Sequence, residues 1–431
     1  MTAGKMISET PSPPKSEMTS EPKLRSLYIC YFPITEPLVQ TQVVAYLEGL
    51  ATHGHTVHLL TFETEVMSAA QKQQWRKRLK QQGITWHTLR YHKRPSLPAT
   101  LYDSLCGVLL GLKLIRRYRL QAVHARGHVP AAMALLLKKL LGTKLIFDIR
   151  GLWAEEYEDA GIWARGSLPF RLTKAVEKQC VEAADGIVVL TERVRKVLFI
   201  DENAWYPHYK AALQVIPCCA DLSQIENLQD ERETLRRELN LQDKTVLVYV
   251  GKFGGWYMQA EMVDFFAQTR HQVPDLHFLV LTQSDPEMIR SEFARRNVPE
   301  SEFTILRSAP ERVGAYLAAS DVALSFIAAF PSKIASSPTK LGEYLAAGLP
   351  VVCNPGVGDV DLIIEEHHAG VIVPSFSDEA YAGAARELQE LIGSEPVRER
   401  CRRAAYASAS LQEIGVPRYH ELYTAVASQT K

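Results

Sequence analysis

The feature that most constrains this chain is an alternation, run through twice, of short apolar segments with longer helix-patterned ones. "SLYICYF" reads as a buried strand, "VVAYLEGLATHG" as a helix and "HTVHLLTF" as the next strand. "AVHA", "KLIFDI" and "GIVVL" continue the theme, and "LQVIPCCADL" closes the unit. A second series opens with "TVLVYVG" and runs through "LHFLVLT", "FTILRSA", "DVALSFI", "LPVVCN" and "AGVIV". Strands alternating with helices specify parallel sheets with helices on both faces. The chain is therefore read as α/β, with two Rossmann-like doubly wound domains facing across a cleft. Residues 24–222 form the first domain, 223–240 a hinge, 241–410 the second domain, and 411–431 a C-terminal helix expected to cross back to the first. A length of 431 residues is enough for two full cores.

The first 26 residues are polar and proline-rich with no apolar core. Residues 1–23 are accordingly expected to be a disordered leader and not a signal peptide. No run of about 18 consecutive apolar residues suggests a membrane span. The seven cysteines show no CxxC or metal spacing, which points to free thiols in a reducing cytosol. Formal charge balances at 49 basic and 49 acidic residues, yet Val66 to Phe147 holds sixteen Lys or Arg against one acid, Asp103. "QKQQWRKRLKQQ" and "LLGLKLIRRYR" fit amphipathic helices with cationic edges, suited to an anionic membrane surface or an anionic acceptor. No nucleic-acid motif accompanies the charge.

Ligands of open α/β sheets sit beyond the carboxyl ends of the strands. In the first domain the residues so placed are Thr35 and Gln40, then Arg126 and His128, then Asp148 and Arg150. Asp148 and Arg150 could simply pair with neighbours, or, since alternation puts both on one side of an extended segment, they could hold sugar hydroxyls or an acceptor phosphate. "LWAEEYEDAGIW" reads as an aromatic loop, and Thr191 as a helix N-cap. In the second domain "TVLVYV" leads into "GKFGGWY", where Gly254 and Gly255 allow close backbone approach to a phosphate and Lys252 adds charge. This is neither a P-loop nor GxGxxG. No Ser-His-acid spacing and no metal-binding histidine cluster is present.

"SSPTKLGEYLAAGLPVV" predicts a helix over about Pro338 to Ala347, with Ser337 as N-cap and Gly348 past its end. Leu341, Tyr344 and Leu345 form its buried stripe, while Lys340 and Glu343 share a neighbouring face. A lysine in the first turn opposes the helix dipole, and Gly342 costs roughly 1 kcal/mol relative to alanine. Two readings stay open: a weakly oriented Lys340–Glu343 pair, or an anion at the helix N-terminus, bound by free N–H groups and Lys340, with Glu343 accepting from hydroxyls one turn on.

That segment, with "AASDVALSFI" before it and "GVGDVDLIIEEHHAGVIV" after it, resembles the signature region of family 4 retaining glycosyltransferases of the GT-B fold. The likeness runs from about Leu24 to the C-terminus and includes "GLATHGHTVHLLTF", "FDIRGLWAEE" and "GKFGGWYM". It implies a nucleoside-diphosphate sugar bound chiefly by the second domain. Glu343 matches the glutamate that contacts the donor ribose. Lys252 opens the loop where the family carries a diphosphate-binding arginine, and Lys340 reaches the phosphate or sugar. The donor set is thus Lys252, Gly254, Gly255, Lys340 and Glu343; the acceptor set is Thr35, Gln40, Arg126 and His128; the catalytic candidates are Asp148, Arg150 and Lys340. Where the family often has a second glutamate, eight residues before Glu343, this chain has Ala335.

The function implied is sugar transfer with retention to a hydroxyl acceptor, a glycan or lipid-linked molecule of envelope or exopolysaccharide assembly. The enzyme would be cytoplasmic, at the inner face of the membrane, without a metal or a cofactor beyond its donor. A nucleotide-sugar epimerase or hydrolase on the same scaffold, or an inactive GT-B binding module, stays open.

Overall fold

The computed structural model describes residues 21–226 and 228–429. Residues 1–20 of the expected leader lie outside the described residues. Seven strands form the first sheet: β1 Arg25–Cys30, β2 Thr56–Glu63, β3 Ile84–Arg90, β4 Ala122–Arg126, β5 Lys144–Asp148, β6 Gly186–Val189 and β7 Ala212–Val215. Six form the second: β8 Thr245–Val250, β9 Leu276–Leu281, β10 Phe303–Leu306, β11 Val322–Ser325, β12 Val351–Cys353 and β13 Gly370–Ile372. The orders are β3-β2-β1-β4-β5-β6-β7 and β10-β9-β8-β11-β12-β13, with every pairing parallel. Strand order therefore reverses between β1 and β4, and between β8 and β11. Crevices for ligands open at such switch points.

The apolar runs form these strands because both faces are covered. Leu27, Ile29, Phe62, Val123 and Phe147 pack with helices on one face of the first sheet. Tyr28, Leu59, Ile146 and Val188 pack on the other. The second sheet is sandwiched in the same way.

The expected hinge is shorter than the sequence suggested. Residues 223–240 are helical over Ser223–Glu226 and Gln229–Glu238, and the second helix docks on the second domain. There Arg232 and Arg236 reach Asp321 at 2.6 and 3.1 Å and donate to the carbonyls of Ala318, Ala319 and Ser320. Two arginines on one carboxylate, one to each oxygen, and satisfied carbonyls tie that helix down. The crossing itself centres on Ala220, and the chain crosses again near Ser410. The two crossings are bonded side by side, Ala220 N to Ala409 O at 2.9 Å and Leu411 N to Ala220 O at 3.0 Å. The last helix, Val416–Ser428, then packs on the first sheet, burying Tyr419, Leu422, Tyr423 and Val426.

A second set of contacts joins the domains beyond β6. Thr191 caps the helix Glu192–Arg195 by accepting from Val194 N, and donates to Ile334 O at 2.6 Å. Asp359 accepts from the N–H groups of Glu192 and Arg193, and Arg193 forks onto Asp361 at 2.6 and 2.8 Å.

Candidate donor and acceptor cleft

The helix read from "SSPTKLGEYLAAGLPVV" spans Thr339–Ala346. Pro338, not Ser337, occupies the N-cap, and no side chain caps the free N–H groups. Ser337 is engaged elsewhere: its Oγ accepts from Cys218 N at 3.0 Å, tying the helix start to the crossing. Leu341, Tyr344 and Leu345 are buried, and the Tyr344 hydroxyl accepts from Val250 N at the end of β8. Gly348 has φ +74°, the left-handed ending that favours glycine. The reason for Gly342 differs from the expectation. A Cβ there would lie 2.6 Å from Ala409 Cβ, so the glycine admits the helix Glu395–Ala409 and owes nothing to an anion.

Lys340 is the unusual side chain. Its Nζ is buried without a hydrogen-bond partner and lies 4.3 Å from the ring centroids of both Tyr249 and Tyr257. Two aromatic faces attract a cation, but they replace only part of its lost hydration. Burial accordingly pushes the ammonium down to about 7, against the pull of Glu343. Burial also pushes the Glu343 carboxyl up to about 7. Gly251, at the end of β8 with φ +132°, makes room for this lysine: a Cβ there would stand 2.9 Å from Nζ.

Glu343 faces an interdomain cavity of about 810 Å³, shared with Thr339, Gln40, Glu311, Gly314 and Leu317. Gln40 donates to Ile34 O at 2.6 Å, while its buried Oε1 has no partner. Two residues expected on opposite sides of the cleft, Gln40 and Glu343, are thus brought to one cavity. Thr35 is exposed on the loop after β1.

The loop after β8 closes over the switch point. Ala328 N donates to Trp256 O at 2.8 Å, and Tyr257 bridges to Ile327 beyond β11. Gly254 and Gly255 have φ +101° and +69°, backbone angles that glycine adopts at little steric cost. Lys252 is exposed at this turn, and its carbonyl accepts from the Tyr249 hydroxyl.

Lys333 is a residue that sequence reasoning missed. It lies in the 3-10 turn Pro331–Ala335, with Nζ 4.3 Å from the Trp256 ring centroid and 3.5 Å from Glu156 Oε1. Glu156 belongs to "WAEEYED", which is a helix, Trp153–Asp159, and not the expected loop. Asp159 in that helix accepts from Ser332 N at 3.0 Å. The first domain therefore reaches over the cleft to the turn that carries Ala335. The signal was a lone lysine between a strand end and the helix, two residues before the position where the family's glutamate was sought.

The first-domain catalytic assignment needs correction. Asp148 is wholly buried, not open to the cleft. Its carboxylate accepts from the Tyr419 hydroxyl at 2.9 Å, with Arg150 at 3.5 Å, Arg126 at 3.7 Å and His124 at 3.8 Å. Burial would raise its pKa, but Arg150 first, then His124 and Arg126, hold it well below the usual carboxylate range. Arg150 points inward too, onto Asp148 and Cys218 Sγ. Arg126 is buried, turning to Asp148 and Gln42 O. His128 Nε2 lies 2.7 Å from buried Glu177, which also takes Lys174 and Tyr206. These side chains brace the cleft wall from behind, so the expected acceptor contacts of Arg126 and His128 are not presented.

Two parallel-sheet domains closing on a nucleotide-sized cleft define a two-domain group-transfer scaffold, and comparison with known proteins places it. The glycosyl transferase 4-like domain profile matches residues 39–198, and that of glycosyl transferases group 1 matches residues 231–408. Among solved structures, the chain is similar to a glycosyltransferase from Rickettsia africae ESF-5 (14% identity, 95% of this chain and 100% of that one, TM-score 0.68). It is similar also to Anabaena Alr3699/HepE in complex with UDP (12%, 93% and 99%, 0.67). A third is WaaG, a glycosyltransferase involved in lipopolysaccharide biosynthesis (15%, 94% and 100%, 0.62). None of the curated protein sequences compared matches the chain. The chain belongs to the GT-B glycosyltransferases.

Proposed function

We propose that this chain is a family 4 enzyme that transfers a sugar with retention from a nucleoside diphosphate to a hydroxyl on a glycan or lipid-linked acceptor. The observation that carries the reading is the pair on one helix: a buried, unpartnered Lys340 Nζ at the uncapped first turn, and Glu343 one turn on, facing the interdomain cavity. An anion at a helix N-terminus meets free N–H groups and the positive dipole end. A diphosphate there would restore the Lys340 ammonium, and Glu343 would accept from ribose hydroxyls.

As the bond from the anomeric carbon to the diphosphate oxygen breaks, charge builds on the leaving group. In this reading Lys340, Lys252 and the backbone at Gly254 and Gly255 would stabilise it, which lowers the barrier electrostatically. The acceptor oxygen bonds to the same face of that carbon and its proton passes to the departing phosphate, so no side-chain base and no metal is called on. Lys333 is assigned to the sugar or acceptor side of the cleft through its contacts with Trp256 and Glu156. WaaG is involved in lipopolysaccharide biosynthesis by its description, in line with a role in envelope or exopolysaccharide assembly; the cytoplasmic place at the membrane's inner face is part of the proposal and rests on the basic segment from Val66 to Phe147.

Calorimetric titration with UDP, GDP and ADP tests the donor site. Selective binding of one nucleotide, lost in Lys340→Ala and Glu343→Ala, is expected. A folded protein that binds none of the three would remove the reading.

A further inference from the structure

The first domain carries an apolar surface that the cleft does not use. The helix Ser96–Tyr118 follows β3 and, by length and composition, is apolar enough to cross a membrane, which no unbroken apolar run in the sequence foretold. It does not lie free of the domain. Its inner face is fixed by small residues and one polar anchor: a Cβ on Gly107 or Gly111 would stand within 2.8 Å of Met133 or Leu137, and Asp103 holds the Tyr31 hydroxyl and His92 N at 2.8 and 2.9 Å.

Its outer face is the notable one. Leu97, Leu101, Leu105 and Leu109, four residues apart, are each 57–68% exposed. No exposed charge interrupts them between Ser96 and Gly111; the exposed charges are Lys93 and Arg94 just before and Lys113, Arg116 and Arg117 after. The neighbouring helix His128–Leu141 packs against this one and exposes Leu136 and Leu140, with Lys139 between them. Beyond it the helix Leu168–Ala183 exposes Leu168, Leu172 and Val176 in the same four-residue spacing. Three adjacent helices thus present apolar rows on one face of the sheet.

Scattered exposed leucines need no explanation, but a contiguous patch of this kind marks an interaction surface. Charge selects the occupant. The exposed ionic groups bordering the leucines of the first two helices are all basic, and no acid offsets them. Apolar rows edged by lysine and arginine match the acyl and anionic headgroup layers of a lipid surface.

We propose that this three-helix face lies in the plane of an anionic membrane, its leucines in the acyl boundary and its basic ends on the headgroups. Crossover helices start at the carboxyl edge of the sheet, so the rows of the first and third helices begin beside the cleft, at Leu97 and Leu168, while Leu136 and Leu140 lie at the far end of the second. A lipid-linked acceptor could therefore pass from membrane to cleft without leaving the protein surface. The surface is argued from its own residues, and its test does not depend on the donor site.

The test is flotation of the full chain with vesicles of phosphatidylcholine alone and of equal parts phosphatidylcholine and phosphatidylglycerol. Binding to the anionic vesicles is expected, with the bound fraction reduced about ten-fold or more in Leu101→Glu/Leu105→Glu/Leu172→Glu. A second variant, Lys113→Glu/Arg116→Glu/Arg117→Glu, is expected to lose the preference for phosphatidylglycerol, with an unchanged melting temperature reporting folding in both. Wild-type protein that floats with neither vesicle, or leucine variants that float as well as wild type, would overturn the proposal. So would a wild-type dimer that does not float and that the leucine substitutions split, which would make the face an interface between two copies of this chain.

Discussion

The hydroxyl of Tyr419 donates to Asp148 Oδ2 at 2.9 Å, joining the last helix to the end of β5 across 271 residues of sequence. Asp148 thereby serves as the keystone of a buried cluster in which Arg126 and Arg150 supply positive charge. Removing one partner of a buried ion pair leaves the other uncompensated. Asp148→Ala is expected to cost about 3–5 kcal/mol in urea unfolding, and Tyr419→Phe about 1–2 kcal/mol. Because the folded pKa is depressed, this stabilisation is present above about pH 4 and is lost as pH falls toward the lower folded value. A catalytic Asp148 would instead leave stability unchanged and abolish turnover.

Lys340 trades stability for binding. Its buried amine has no anionic hydrogen-bond partner, so Lys340→Met should be neutral or stabilising by on the order of 1 kcal/mol. The same change should weaken nucleotide binding about ten-fold or more. Thermal unfolding and calorimetry on one preparation separate the two effects, and a destabilised variant with unchanged affinity would count against Lys340 as the anion contact.

Nucleotide binding should take up a proton. Burial lowers Lys340 to about 7, so at about pH 8 it is largely neutral in the free protein, and a diphosphate beside it raises its pKa again. Affinity should fall as pH climbs through that interval. Glu343, raised to about 7 by burial, ionises over the same range and accepts hydroxyls better, which softens the fall. Calorimetry in buffers of different ionisation enthalpy reads the uptake directly, and Lys340→Met should lack it.

Gly342→Ala should destabilise despite the better helix former. Alanine gains up to about 1 kcal/mol in helix propensity, but the 2.6 Å approach to Ala409 Cβ forces the two helices apart at about 1–3 kcal/mol. Pairing it with Ala409→Gly should recover most of the loss, a coupling that chemical unfolding of the four proteins would measure.

How much was legible in the sequence depended on distance along the chain. The strands and the helix ending at Gly348 could be read because period, apolar runs and cap residues are local. That Glu343 faces the cavity was readable because its side of the helix is set by the stripe of Leu341, Tyr344 and Leu345. Asp148 was misread because alternation says which side of a strand a carboxylate takes, not that Tyr419 will cover that side. Gly342 misled for the same reason, its partner Ala409 being remote. "WAEEYED" offers only Trp153, Ala154 and Tyr157 over about two turns, too short a pattern to distinguish a helix from a loop, and Lys333 acquires meaning only once Glu156 stands opposite it.

The paired crossings at Ala220 and Ser410 fix how this molecule can open. Two segments bonded flank to flank act as the pins of one door: sliding one domain past the other would shear both backbone bonds, whereas swinging about them keeps both intact. The arc swept by each residue then grows with its distance from the pins. The Arg193–Asp361 fork must part for any swing that separates its two elements, making it a catch on that door.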